Sequence, residues 1–450
     1  MTLDSALYET LDAVSHLEGG RFEDIEVYAK TGRSRRFALS PAGPAATYSQ
    51  EAGWAVRAGD RRASFFAAAT GAPQPSGPGG TGGVGGAGGA WPEADGQPIR
   101  LPEPVTGPRW SEPGDFDAPL MGEREALSLL ERIASTLAGE LPGARLLGGA
   151  LEDGAGEIQI LSSHGVRTRH RARLAALHLE AAGPERTGPT AAIYLAEREA
   201  RRFHPLALAR RLADRLLVTH EGRPVSRDRG TLLLAPVVMV RLLEGLRPLF
   251  LGPEAVAAAE ALRDPRGRLG SDALTVLDNG RLPGGALEAP VDGEGVTTRE
   301  VVLVDRGSYR GPLLPWWQSQ EPHLKAVGCS RRPSWRDLPR PGFTHLSLRP
   351  QGGVGVASLL QDITRGYYLI DSTGGGTFDL AADRFSLPVC GFEVRSGRAA
   401  APVAGSRLCG SISAFLRGVQ GVARDLTFLP LDGMIGSPSA LVTGLELRAG

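Results

Sequence analysis

Cysteine is scarce: Cys329, Cys390 and Cys409 are the only three in 450 residues. They lie far apart and lack C-x-x-C spacing, which excludes a zinc ribbon, a dithiol redox pair and a disulfide-stapled scaffold. Net charge is absent as well, because fifty basic residues balance fifty acidic ones, so the overall balance points to neither nucleic acid nor an anionic membrane. No run approaches the ~18 apolar residues of a membrane span, and Met1-Thr2-Leu3-Asp4 opens the chain without a basic and then apolar leader. The expectation is a cytoplasmic protein with no membrane or nucleic-acid partner. Lysine is rare beside arginine, a coding bias with no functional weight. What is present is an ordinary globular mixture, 42% hydrophobic and 22% charged, which excludes general disorder. The length exceeds one ordinary core and predicts two or three domains of ~100–200 residues.

Leu3, Leu7, Leu11, Val14 and Leu17 fall on one helical stripe that Gly19-Gly20 ends. Ile25, Val27 and Ala29 then alternate with polar neighbours, a further strand is expected around Phe37 and Leu39, and Trp54 and Val56 lead into a hairpin at Gly59-Asp60. From 72 to 108 glycine and proline dominate, and such a stretch cannot bury enough apolar surface to offset its ordering entropy; it reads as a flexible insertion, either a tether or lid or a tolerated surface loop. Order returns with Ala126, Leu130, Ile133, Leu137 and Leu141 on a second helix closed by Pro142-Gly143. Arg167, Arg169, Arg171 and Arg173 share one face of a strand, able to meet an anion but more simply the wet side of an antiparallel sheet. A third helix spans about Pro205 to Val218.

Beyond Gly230 the pattern is strand-rich, with helices near 236–250, 253–263, 357–367 and 411–423 and no regular β-α-β alternation. This predicts an α+β fold: a two-layer α/β N-terminal domain over 1–71 and 109–225, and a strand-rich C-terminal domain over 226–450.

Several stretches together resemble the TldD/PmbA family, once called modulators of DNA gyrase and understood as cytoplasmic metallopeptidases of paired TldD-like and TldE-like subunits. They are Glu26 to Arg36 with Gly53-Trp54-Ala55-Val56-Arg57; Asp292-Gly293-Glu294-Gly295-Val296 with Thr298-Arg299, similar to the family's D-x-E-G-x-x-T-R; Thr344 to Pro350; Gly374-Gly375-Gly376-Thr377-Phe378-Asp379; and Gly391-Phe392-Glu393-Val394 to Gly410. The resemblance covers nearly the whole chain outside the insertion, and it implies the TldD/PmbA type of C-terminal domain.

TldD-like members carry H-E-x-x-x-H on a helix after a strand and a proline, with a C-terminal cysteine completing a zinc site whose open position holds water. Here the corresponding helix begins at Pro236. Counted from that proline, the histidine positions fall near Glu244 and Leu249 and the general-base position on Gly245. None of the three can do that work, and Pro248 breaks the helix where the second ligand would sit. Thr427 to Met434, where the cysteine would be expected, offers no thiol. His220-Glu221 is followed by Gly222 and Pro224, a turn, and His164, His170 and His178 would span about 46 Å on a straight strand.

The resemblance therefore implies a non-catalytic TldE-like subunit, with no cofactor of its own and zinc only in a TldD-like catalytic partner. The pair would cut extended or unfolded peptides. Gly374, Gly375 and Gly376 could permit close approach of a peptide backbone or simply form a loop with positive φ, and Trp316 and Trp317 could anchor the partner or pack in the core. Two other readings compete: a stand-alone peptide-binding or scaffold protein in modified-peptide biosynthesis, and a cysteine hydrolase using Cys390 or Cys409 with His345 or His178 as base.

Overall fold

The computed structural model describes residues 3–16, 22–59, 64–71, 93–94, 100–104, 119–185, 188, 190–319, 327–372 and 374–450. Most of the 72–108 insertion lies outside them. The N-terminal elements are helix α1 (Leu3–Ser15), strands β1 (Asp24–Ser40), β2 (Gly43–Gly59), β3 (Ser64–Thr70) and β4 (Glu93–Ala94), helix α2 (Glu123–Glu140), strands β5 (Arg145–Ser162), β6 (Arg167–Ala182) and β7 (Thr190–Glu197), and helix α3 (Pro205–Glu221). The seven strands form one antiparallel sheet in the order β4-β3-β2-β1-β5-β6-β7.

Where two strands are expected around Ile25–Ala29 and Phe37–Leu39, β1 is continuous, because β2 and β5 pair with it along almost its whole length. Side-chain alternation then sorts the sheet into two faces. Ile25, Val27 and Ala29 bury under α1 with Leu7 and Val14, and Phe37, Leu151, Leu177 and Leu179 bury under α2 and α3 with Leu130, Ile133 and Leu212. The opposite face, carrying Glu26, Tyr28, Lys30 and Gly32, looks toward the C-terminal domain.

The arginine row of β6 corrects its reading as a wholly wet face. Its odd positions lie on the helix-covered side, together with buried Ala175, Leu177 and Leu179. Arg167 stands 5.2 Å above the Tyr8 ring of α1 and Arg169 pairs with Glu157 at 2.8 Å, both exposed; Arg173, further along, is buried and donates to the Pro119 carbonyl. The helices cover only part of this face, so one strand edge passes from wet to dry.

The C-terminal domain packs a nine-stranded mixed sheet against a six-stranded one. After the short strands β8 (Arg227–Asp228) and β9 (Thr231–Leu234), helix α4 (Pro236–Gly245) runs into the core between the two sheets. The helix expected over 357–367 stops at Gln361, and Arg365–Asp371 is instead a strand parallel to β9. Gly366 is the reason the two can close up: a Cβ there would fall 1.9 Å from the Thr231 carbonyl oxygen.

Contacts that join the domains include an ion pair and an aromatic seat. Arg215 of α3 donates to Asp371 at 2.8 Å, both side chains being largely buried. The short hairpin pairing Ser330–Arg331 with Arg340–Pro341 carries Trp335, 3% exposed, onto β2 at Gly53, where a Cβ would come 2.0 Å from the indole.

Candidate functional site

The metal-helix positions implied by the resemblance sit at the end of α4. Pro236 occupies the first turn, where its missing N–H costs nothing. The α-helix ends at Gly245, and Arg247–Leu249 with Pro248 continues as a single 3-10 turn. Glu244 is held by Arg241 at 2.8 Å, and Leu249 is fully buried. Gly245 is covered: a Cβ built on it would lie 2.4 Å from ring carbons of Phe378, which stacks on Phe385 at 5.8 Å between centroids. A carboxylate, a glycine under an aromatic ring and a core leucine do not fit a zinc ion, and among the described residues no group of three His, Cys, Asp or Glu side chains could hold one.

His345 and Cys390 do not form a nucleophile and base. His345 is buried, donates from Nδ1 to the Asn279 carbonyl at 2.9 Å and accepts at Nε2 from the Leu287 N–H at 3.2 Å. Burial brings its pKa down to about 4, so the ring is neutral with both nitrogens engaged. Cys390 lies in the other sheet, and burial pushes its thiol up to about 12. His178 is exposed and stands edge-on to Tyr194.

Gly374 and Gly375 have φ of +85° and +67° with open space around them, so the backbone turn itself requires glycine there. At Gly376 a Cβ would meet Leu387 at 2.7 Å. Trp316 is half-buried and its backbone N–H donates to Glu294 at 3.2 Å, whereas Trp317 is 41% exposed.

The densest electrostatics lie at the domain interface, where the D-x-E-G stretch does structural work that sequence reasoning did not assign to it. Asp292 accepts three backbone N–H groups, from Glu294 at 2.9 Å, Val296 at 3.0 Å and Ser330 at 2.8 Å, fixing the loop to the hairpin. Gly295, with φ +83°, brings the loop so close to the turn before β6 that a Cβ would fall 2.6 Å from Val166. Glu294 faces Arg57 at 3.7 Å, Arg57 donates to Glu26 at 3.0 Å, and Glu26 pairs in turn with Arg332. Burial raises the Glu26 carboxyl, but Arg332 and Arg57 outweigh it and hold the pKa below the usual range. Glu294 goes the other way: burial pushes it up more than Arg57 pulls it down. Burial, with Glu294 beside it, also raises Asp292.

Beside this network a cleft of about 480 Å³ opens between the sheet face and the loops of the C-terminal domain. Arg331, next to Arg332 in the hairpin, lines it. The sequence signal that could have found it is the Arg331-Arg332-Pro333 stretch after the apolar Val327 to Cys329.

The architecture is that of a two-layer α/β domain joined to a mixed-sheet domain whose central helix follows a strand and a proline. Residues 227–449 match the profile described as the PmbA/TldA metallopeptidase C-terminal domain. The chain belongs to the PmbA/TldD family. Curated relatives include a metalloprotease TldD homolog of Buchnera aphidicola, 24% identical over 38% of this chain and 35% of that protein. Another is a zinc metalloprotease TldD homolog of Saccharolobus solfataricus, 24% identical over 35% of each; the chain thus spans about a third of the length of these relatives. The crystal structure of TldE from Thermococcus kodakarensis superposes with a TM-score of 0.82 at 17% identity, covering 98% of this chain and 100% of that one. A Thermotoga maritima structure, described as a candidate modulator of a DNA gyrase, gives 0.78 at 18% identity, covering 99% and 100%. Among the described residues no helix is long and apolar enough to cross a membrane.

Proposed function

We propose that this chain is the non-catalytic, TldE-like subunit of a two-subunit zinc metallopeptidase that cleaves extended or unfolded peptides. A TldD-like partner holds the zinc and its water, and this chain supplies wall, groove and stability. The observation that carries the reading is the packing of Phe378 on Gly245, with Glu244 tied to Arg241 and Leu249 in the core. No ligand set can assemble there without rebuilding the helix end. The likeness of fold to TldE over nearly the full chain supports the same side of the pair.

The test is to purify the chain alone and together with a TldD-like protein from the same source, then measure zinc by mass spectrometry and cleavage of an unfolded peptide. The expected result is sub-stoichiometric zinc and no cleavage alone, and cleavage by the pair. Stoichiometric zinc in the isolated chain, or cleavage without a partner, overturns the proposal. Failure of the two chains to associate favours the stand-alone scaffold.

A further inference from the structure

The cleft between the domains has a floor, an apolar wall and a charge, and each is set by residues outside the end of α4. The floor is a row across three strands: Gly32 of β1 pairs with Gly156 of β5, which pairs with Ala172 of β6. By strand parity these three project toward the cleft, and nothing larger than a methyl group rises from the row. An extended main chain can lie flat on such a surface. Leu174 and Leu287 supply apolar contact alongside.

The charge follows from counting which groups are already engaged. Glu51 pairs with Lys30 at 2.7 Å, Asp153 with Arg35 at 2.6 Å, and Glu157 with Arg169 at 2.8 Å. Glu152 pairs with Arg36 and Glu288 with Arg198, while Asp292 is saturated by backbone N–H groups. Arg332 is taken by Glu26. Two cations of the lining are left, Arg33 and Arg331, with no hydrogen bond or ion pair to either guanidinium among the described residues; Arg33 is exposed, whereas Arg331 is half-buried with its stem seated against Gly342, where a Cβ would fall 2.7 Å from its Cγ. Burial pushes the ionisation of Arg331 down, and Asp278 and Asp432 offset this only at longer range. A positioned, half-buried guanidinium without a counter-ion is a receptor for a planar anion, and its fork matches a carboxylate.

We propose that this cleft binds a short peptide by its C-terminal carboxylate, with Arg331 as the carboxylate fork and the Gly32–Gly156–Ala172 row as the floor under the last residues. The peptide nature of the ligand rests on the proposed function; the anion site does not. It gives the chain a way to hold a peptide end while chemistry proceeds in a partner.

The experiment is calorimetric titration of the full isolated chain with acetyl-Leu-Ala-Ala as the free acid and as its C-terminal amide. The acid is expected to bind at least about tenfold more tightly than the amide, the scale of one charge-assisted contact. Arg331→Gln should lose about that factor for the acid and little for the amide. Ala172→Trp, at an exposed position that fills the floor, should weaken both without changing the melting temperature. Equal binding of acid and amide, no saturable binding of the acid, or acid binding unchanged in Ala172→Trp overturns the proposal, and the last result stands even if Arg331→Gln fails to fold. No zinc or partner is present in this titration. A negative result therefore leaves the subunit assignment intact, whereas zinc in the isolated chain would sink that assignment without touching this readout.

Discussion

Arg332, on the hairpin of the C-terminal domain, and Glu26, on the first strand of the chain, form an ion pair in which each side chain is only 1% exposed. Removing one member leaves the other buried without its counter-charge, at a cost of about 3–5 kcal/mol. Glu26→Ala should lower stability by that amount and split the thermal transition in two, because the same residue also anchors Arg57. Calorimetry reads both effects. A single unshifted transition would show that Trp335 and Arg215 suffice to couple the domains. Since the folded carboxyl lies below its ordinary 4.5, its contribution is complete above that value and is lost as the pH falls through the folded one.

The ring over Gly245 makes a separate prediction. Gly245→Ala drives a methyl group into the ring of Phe378, which is itself stacked on Phe385. Overpacking of this kind costs about 1–3 kcal/mol. The double variant Gly245→Ala with Phe378→Ala should be less unstable than the two single changes predict when added, and urea unfolding of the four proteins measures that coupling. Simple additivity would mean that the ring is not the obstacle.

Asp278 accepts the Thr344 backbone N–H at 3.0 Å, and burial, outweighing the backbone N–H groups of Thr344 and His345, pushes its pKa up to about 7. A raised carboxyl stabilises the fold below its unfolded value of about 4, and that contribution drains away as the pH rises through the folded value. Asp278→Asn keeps an acceptor and does not titrate. Between pH 5 and pH 8 its stability relative to the parent should therefore rise by about 2–3 kcal/mol. His345, depressed to about 4, pulls in the opposite sense as the pH rises towards 6.5, but does so in both proteins and largely cancels in the difference. A difference that does not change with pH would place Asp278 in a more hydrated setting.

The thiols should rank by burial. Cys409 is half-buried, 3.4 Å from the Ser386 hydroxyl, whereas Cys329 and Cys390 are buried and burial raises both thiols. Iodoacetamide at pH 8 is expected to label Cys409 first and the other two only on unfolding, with peptide mass spectrometry giving the order. Rapid labelling of Cys390 would instead revive the cysteine-hydrolase reading.

What was legible in the sequence was local. The α1 stripe, the second and third helices, the strand and proline leading into α4 and its break before Pro248 all follow from spacing and from single residues with strong conformational rules. The degenerate helix end needed only the family resemblance and a count from Pro236. Two things were hidden because they depend on distant partners. The four arginines of β6 have one parity, but which of them is wet depends on how far the helices reach. Asp292 and Glu294 sit in a recognisable motif, yet their work is done on Ser330 and Arg57, and neither neighbour can be inferred from the stretch itself.

The aromatic lid on Gly245 also bears on how a metal site could be built there. An acid introduced there meets carbon before it can meet a metal, and deleting Phe378 first uncovers the face of Phe385 without adding a ligand. Each lone substitution thus costs packing without gaining a ligand, so a metal site at this helix end would need several changes made together.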